Sequence, residues 1–203
     1  MTQAGGTRQP ARERIVDTAF RLFYAHGARG VGVDTIIAES GVAKATFYKH
    51  FPRKDDLVVC YLDKVDQAWF GQLRAAARAT DDPRAQLVAM FDALAAASRR
   101  DGYHGCAFIN AAAESHSGGD VHARTIEHKG VVRAWIRDLA RRAGAADPDL
   151  LARQLTLLID GGLADGVLGA DPATPHAAKA AAQTLVDQAC TGPVTQTGPV
   201  RAR

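Results

Sequence analysis

From Pro10 to Cys190 apolar side chains recur at three- and four-residue intervals, and no β-branched stretch alternates at period two. Glycine and proline breakers fall at spacings that suit helices, and alanine, the strongest helix former, is abundant. This pattern restricts the chain to an all-α fold of about nine helices. The predicted segments start near Pro10 and end at His26-Gly27, then run from Asp34 to Ser40, from Lys44 to Phe51, and from about Asp55 to Ala79. Asp82-Pro83 opens the next, with Leu87, Met90, Phe91, Leu94 and Ser98 on one side. Cys106 to Ser115 follows, then a stripe of Val121, Thr125, His128, Val132, Trp135 and Leu139. Two last helices start at Asp147-Pro148 and near Pro175.

With 203 residues, 47% of them apolar, the chain is long enough for a sizeable core and too apolar to be disordered. No charge-free apolar run reaches the roughly 18 residues of a membrane span, and the first residues lack an apolar signal core. Three scattered cysteines, Cys60, Cys106 and Cys190, suit reduced thiols in a cytoplasm better than a disulfide framework. Residues 1–9 read as a flexible arm and residues 191–203 as a flexible tail.

Charge is unevenly placed. Up to Lys54 there are nine basic and four acidic side chains, while the rest of the chain has sixteen and eighteen. A basic head on a slightly acidic body points to a polyanionic partner.

The stretch IIAESGVAKATFYKHF, residues 36–51, reads as two short helices joined by a tight turn. Gly41 supplies a positive φ and Val42 fills the angle between the helices. Phe47 and Phe51 hold the second helix on the first, leaving Lys44, Ala45, Thr46, Tyr48, Lys49 and His50 on its outer side. In a helix-turn-helix that side enters the major groove. His50 is either a DNA contact or a structural hydrogen-bonding group. Arg29 and Arg53 read as general phosphate attraction rather than base readout.

From Arg12 through Leu57, with LFYAHG closing the first helix and then IIAESGVAKATFYKHFPRKDDL, the chain resembles the DNA-binding domain of TetR-type, tetracycline-repressor-like, transcriptional regulators. GCAFINAAAES, EHKGVVRAWIRDLARRAG and DPDLLARQLTLLIDGG are similar to members of that family as well. The resemblance implies a helix-turn-helix domain over residues 10–55 and an effector-binding and dimerisation domain over residues 56–190. It implies double-stranded operator DNA as partner, contacted by Lys44, Thr46, Tyr48, Lys49 and His50, with Lys54 on a phosphate. Many members have a Ser or Thr just before the first helix of the motif. Val31-Gly32-Val33 stands there instead, so that contact falls to backbone amides or to Thr35.

A regulator needs a second, reciprocally coupled site. Trp69, Met90, Phe91, Tyr103, Phe108, Asn110, Glu114, His128 and Trp135 are the candidates for a mostly apolar effector pocket, the alternative being plain core. His128, within an apolar stripe, bonds either an effector or another helix. The histidines near Cys106 show no zinc-ligand spacing, and no catalytic or nucleotide-binding motif is present, so neither a metal, a cofactor nor catalysis is expected. The helix Leu151 to Leu163 is apolar nearly all round and needs burial on two sides. Gly161, Gly162 and the alanines of the last helix suit close approach to a second copy. The resemblance implies a homodimer through these two helices, with recognition helices roughly 34 Å apart and a near-palindromic operator. It also implies a repressor released by a small molecule. The competing reading is an all-α sensor or enzyme without specific DNA binding.

Overall fold

In a computed structural model, residues 9–100, 102–168 and 171–194 are described. Of the expected arm only Gln9 lies within them; of the expected tail residues 191–194 do, and there the Gly192 amide bonds the Gly144 carbonyl at 3.1 Å, while residues 1–8 and 195–203 lie outside the described residues. The described residues form α1 (Ala11–His26), α2 (Val33–Ser40), α3 (Lys44–His50), α4 (Lys54–Ala77) and α5 (Pro83–Ala89). They continue with α6 (Phe91–Ser98), α7 (Ala107–Glu114), α8 (Asp120–Arg142), α9 (Pro148–Leu168) and α10 (Thr174–Ala189). The all-α expectation holds. Ten segments stand where about nine were expected because the helix opened by Asp82-Pro83 breaks at Met90. There the Ala93 amide bonds back three residues to the Met90 carbonyl, a tighter turn that the apolar spacing alone does not reveal.

Contacts divide the chain into two units: Met1–Val65 with Ala107–Thr125, and Asp66–Cys106 with Ile126–Arg203. The division falls inside α4 and α8.

The first unit is built on the inward faces of α1 (Ile15, Ala19, Leu22, Phe23), α2 (Ile36), α3 (Phe47) and early α4 (Leu57, Leu62), all buried. Tyr61 receives Phe20 and Phe23 edge-on, with centroids 5.6 and 5.7 Å away. Phe108 and Ala111 of α7 are buried in the same unit.

The second unit packs α5, α6, α9 and α10 around Leu87, Met90, Phe91, Leu94, Leu155, Ile159, Ala182 and Val186. Gly162 faces inward here. A β-carbon on it would collide with Leu94 of α6. The sequence reading, which used Gly162 for a contact between copies, is corrected to a close packing within one chain. Gly161 has open space around it and keeps its outward position.

Candidate nucleic-acid interface

The two short helices at residues 33–50 meet through the turn expected from the sequence. Gly41 ends α2 with φ 61° and ψ 34°, the left-handed cap that glycine adopts without steric cost. Val42 is buried beneath it. Arg14 of α1 donates from Nη1 to the carbonyls of Ser40 (3.0 Å) and Gly41 (3.2 Å). A guanidinium there satisfies carbonyls that the end of α2 leaves unpaired and meets the negative end of its dipole. Nothing in local spacing marks Arg14 for this work, because its partners lie 26 and 27 residues away.

α3 has a sharply divided surface. Phe47 is fully buried, with Phe51 at 6.1 Å between ring centroids on the same inner side. Lys44, Ala45, Tyr48, Lys49 and His50 are exposed, and Thr46 is half-buried. Tyr48 is 44% exposed, a large value for a phenol that the buried Phe47 touches edge-on at 5.4 Å. Lys44 Nζ donates to Asp34 Oδ1 at 3.3 Å, and both side chains are well exposed. Such a surface pair is worth about 0–1 kcal/mol and yields readily to a phosphate or a base edge.

At the start of α2, Gly32 occupies the N-cap with no capping side chain, and Thr35 is exposed in the first turn. Lys54 opens α4 and is half-buried in a cavity of about 420 Å³ lined also by Arg29, Val58, Glu114 and His116. Burial pushes its ammonium below the usual lysine range, against the pull of Glu114 and Asp55. Arg53, expected as a general phosphate attractor, is exposed and already paired with two carboxylates. Its guanidinium bonds Asp56 and, at 2.8 Å, Asp120, and these two bonds hold its pKa above the ordinary value.

Glu114, named among the pocket candidates, turns to the α1–α2 loop instead. Its Oε2 accepts from the Arg29 amide at 2.7 Å, and its carboxylate fills the space a β-carbon on Gly27 would need. Gly27 has φ 74° and ψ 154°, so its backbone conformation calls for glycine, and any β-carbon would also displace the Glu114 carboxylate.

The other pocket candidates are distributed as follows. Met90, Phe91 and Phe108 are fully buried, whereas Trp69, Tyr103, Asn110 and Trp135 are half-buried. Tyr103 donates to the Leu163 carbonyl at 3.3 Å, and Trp135 meets Phe70 edge-on at 5.5 Å. His128 is buried, and its Nδ1 shares a hydrogen bond with Asp66 Oδ1 of α4 at 2.7 Å. Of its two expected partners, the helix is therefore present. Phe108 and Asn110 belong to the first unit and the rest to the second. Asp160 pairs with Lys129. Among the described residues no group of three or more His, Cys, Asp or Glu is placed to hold a metal, and no helix is long and apolar enough to cross a membrane.

The profile of bacterial regulatory proteins of the tetR family matches residues 15–59, and that of the BetI-type transcriptional repressor C-terminal domain matches residues 83–191. The chain belongs to the TetR family. A solved TetR-family regulator from Streptomyces coelicolor is 34% identical with a TM-score of 0.82, covering 89% of this chain and 96% of its own. A TetR-type regulator from Streptomyces avermitilis is 31% identical with a TM-score of 0.80, covering 89% and 98%. Among curated proteins, the transcriptional regulator LmrA of Bacillus subtilis is 48% identical over 42 residues, 21% of this chain. The transcriptional activator FasR of Mycolicibacterium smegmatis is 32% identical over 91 residues, 43% of this chain. The matched part spans 22% of LmrA and 42% of FasR. As a TetR-family member the protein is a DNA-binding transcriptional regulator, not an enzyme, which removes the catalytic alternative.

Proposed function

We propose that this TetR-family regulator is a cytoplasmic repressor that binds a near-palindromic operator as a homodimer and leaves it when a small molecule occupies its helical body. The observation that carries the DNA-binding part is the two-sided surface of α3. Phe47 is sealed inside while Lys44, Ala45, Tyr48, Lys49 and His50 are all presented outward. Small residues at Ala43 and Ala45 let this helix approach base edges, and the outer side chains offer ammonium, hydroxyl, phenol and imidazole donors. On this reading Lys44, Thr46, Tyr48, Lys49 and His50 face the groove, while Thr35 and Lys54 lie toward the sugar-phosphate backbone.

The dimer reading is supported by α9. Leu150, Leu157, Gly161 and Leu168 recur at intervals of seven, four and seven along one face, and each is exposed in the single chain. Leu157 is 70% exposed, and an apolar stripe of this length on a soluble helix marks a surface meant to be covered.

The test is a gel shift against DNA from upstream of the protein's own gene, at two salt concentrations with nonspecific competitor. A shifted band that survives competitor and weakens at the higher salt is expected; uniform loss with competitor would reject specific operator binding.

A further inference from the structure

Within the second unit, the end of α4, α5 and the second half of α8 line a half-open cavity of about 310 Å³, with Arg74 and Arg78 on its exposed side. Its floor is apolar, formed by the buried Ala77 and Leu139. Trp135 makes one wall. Around them stand Arg74, Arg78, Arg142 and Gln86, with no carboxylate among the lining residues.

Three guanidiniums around one small cavity repel one another, and this cost is normally removed by interleaved acids. Two neighbouring arginines show that arrangement and a third is satisfied by a backbone carbonyl. Arg141 pairs with Asp138 at 3.1 Å, Arg137 lies 3.9 Å from Asp149, and Arg84 Nε donates to the Ala143 carbonyl at 3.0 Å. Among the described residues Arg74, Arg78 and Arg142 have no ion-pair partner. Arg142 reaches only the neutral Gln86 side chain, at 3.3 Å. Arg74 stacks over the Phe70 ring, 3.9 Å from its centroid, which occupies the face of the guanidinium and leaves its N–H edge for another acceptor. Phe70 in turn meets Trp135 edge-on, so the aromatic wall is held in position.

Placing arginines at helix C-termini complements the helix dipole and accounts for Arg74 and Arg142 singly. The Arg78 amide still bonds the Arg74 carbonyl, so the dipole accounts for Arg78 too, but it does not account for three guanidiniums sharing one cavity with an aromatic wall.

We propose that this cavity binds a small organic anion: a carboxylate held by Arg74, Arg78 and Arg142, joined to a flat apolar group that lies on Ala77 and Leu139 against Trp135. The volume is at the small end of ligand pockets, which fits a molecule of one or two fused rings rather than a long acyl chain. Guanidiniums match a carboxylate in two-pronged geometry, and the neutral Gln86 completes the polar rim without repelling it. The binding step does not depend on the operator-release reading, since it involves no DNA.

Isothermal titration of the full chain with naphthoate, and in parallel with the uncharged naphthalenemethanol, tests this. Saturable binding of naphthoate at one site per chain, with the alcohol at least about tenfold weaker, is expected from the loss of charged hydrogen bonds. Arg78→Gln and Arg142→Gln should each weaken naphthoate by about tenfold or more. Arg78 is exposed, so its variant remains folded and the comparison stands even if Arg142→Gln is unstable. Equal binding of acid and alcohol, no binding of naphthoate, or unchanged affinity in Arg78→Gln would each overturn the proposal.

Discussion

Lys44 and Gly27 show two different ways in which a single residue can matter here. Lys44 is exposed and its partner Asp34 is more exposed still, so the side chain contributes little to the fold. Lys44→Ala is therefore expected to leave the melting temperature unchanged while weakening operator binding by about 1–3 kcal/mol, read by competition titration. Gly27 is the reverse case: it touches no DNA in this reading, and its role is steric. Gly27→Ala forces an L-residue into a region essentially reserved for glycine, at a cost of about 1–3 kcal/mol, and displaces the Glu114 carboxylate as well. A denaturant midpoint that falls in each single variant, and in Gly27→Ala combined with Glu114→Ala falls by less than the sum of the two, is the expected result. Gly41 could be read from the sequence because a turn between two short helices needs a left-handed residue within a few positions. Gly27 was legible as the glycine that ends α1, expected in the left-handed cap; its ψ of 154° departs from that cap, and the carboxylate packed against it comes from 87 residues further along the chain.

At the level of elements, α1 serves as a brace. Arg14 secures the end of α2, Arg21 pairs with Glu39 of α2, and Asp17 pairs with Lys64 of α4. Hydrogen bonds from Lys64 and then Gln9 hold the Asp17 carboxyl below the ordinary carboxylate range. Asp56 is lowered in the same way by its bond to Arg53. A carboxyl whose folded pKa is depressed adds stability that is present above its unfolded pKa, near 4, and is lost as pH falls through the folded value. Urea titrations between neutral and strongly acid pH should therefore show stability dropping below about pH 4, with a shallower drop in Lys64→Met. Helix positions were legible because amphipathic spacing is local. The break at Met90 was not, because either continuous or kinked helix keeps Leu87, Met90, Phe91 and Leu94 buried. Gly162 illustrates the same boundary: spacing identified a position for close approach, yet could not tell Leu94 of the same chain from a second copy.

For the whole molecule, the proposed dimer is the property that sets operator geometry, since two recognition helices must meet one duplex with a fixed spacing. Leu157→Glu puts a charge in the middle of the exposed α9 stripe without touching the core. It is expected to convert a dimer to monomers in sedimentation equilibrium and to lose operator binding while retaining the helical circular dichroism spectrum; a mutant that stays dimeric would move the interface elsewhere. The division of the chain into two units has a practical corollary. Residues 107–125 sit with the head although they arrive after the body has begun. Anyone transplanting this reader of DNA onto a foreign sensor should therefore carry that insert along with the first 65 residues and splice at three junctions instead of one. A hybrid cut only after the pair of short helices would keep its lysines and lose the carboxylate that braces their scaffold.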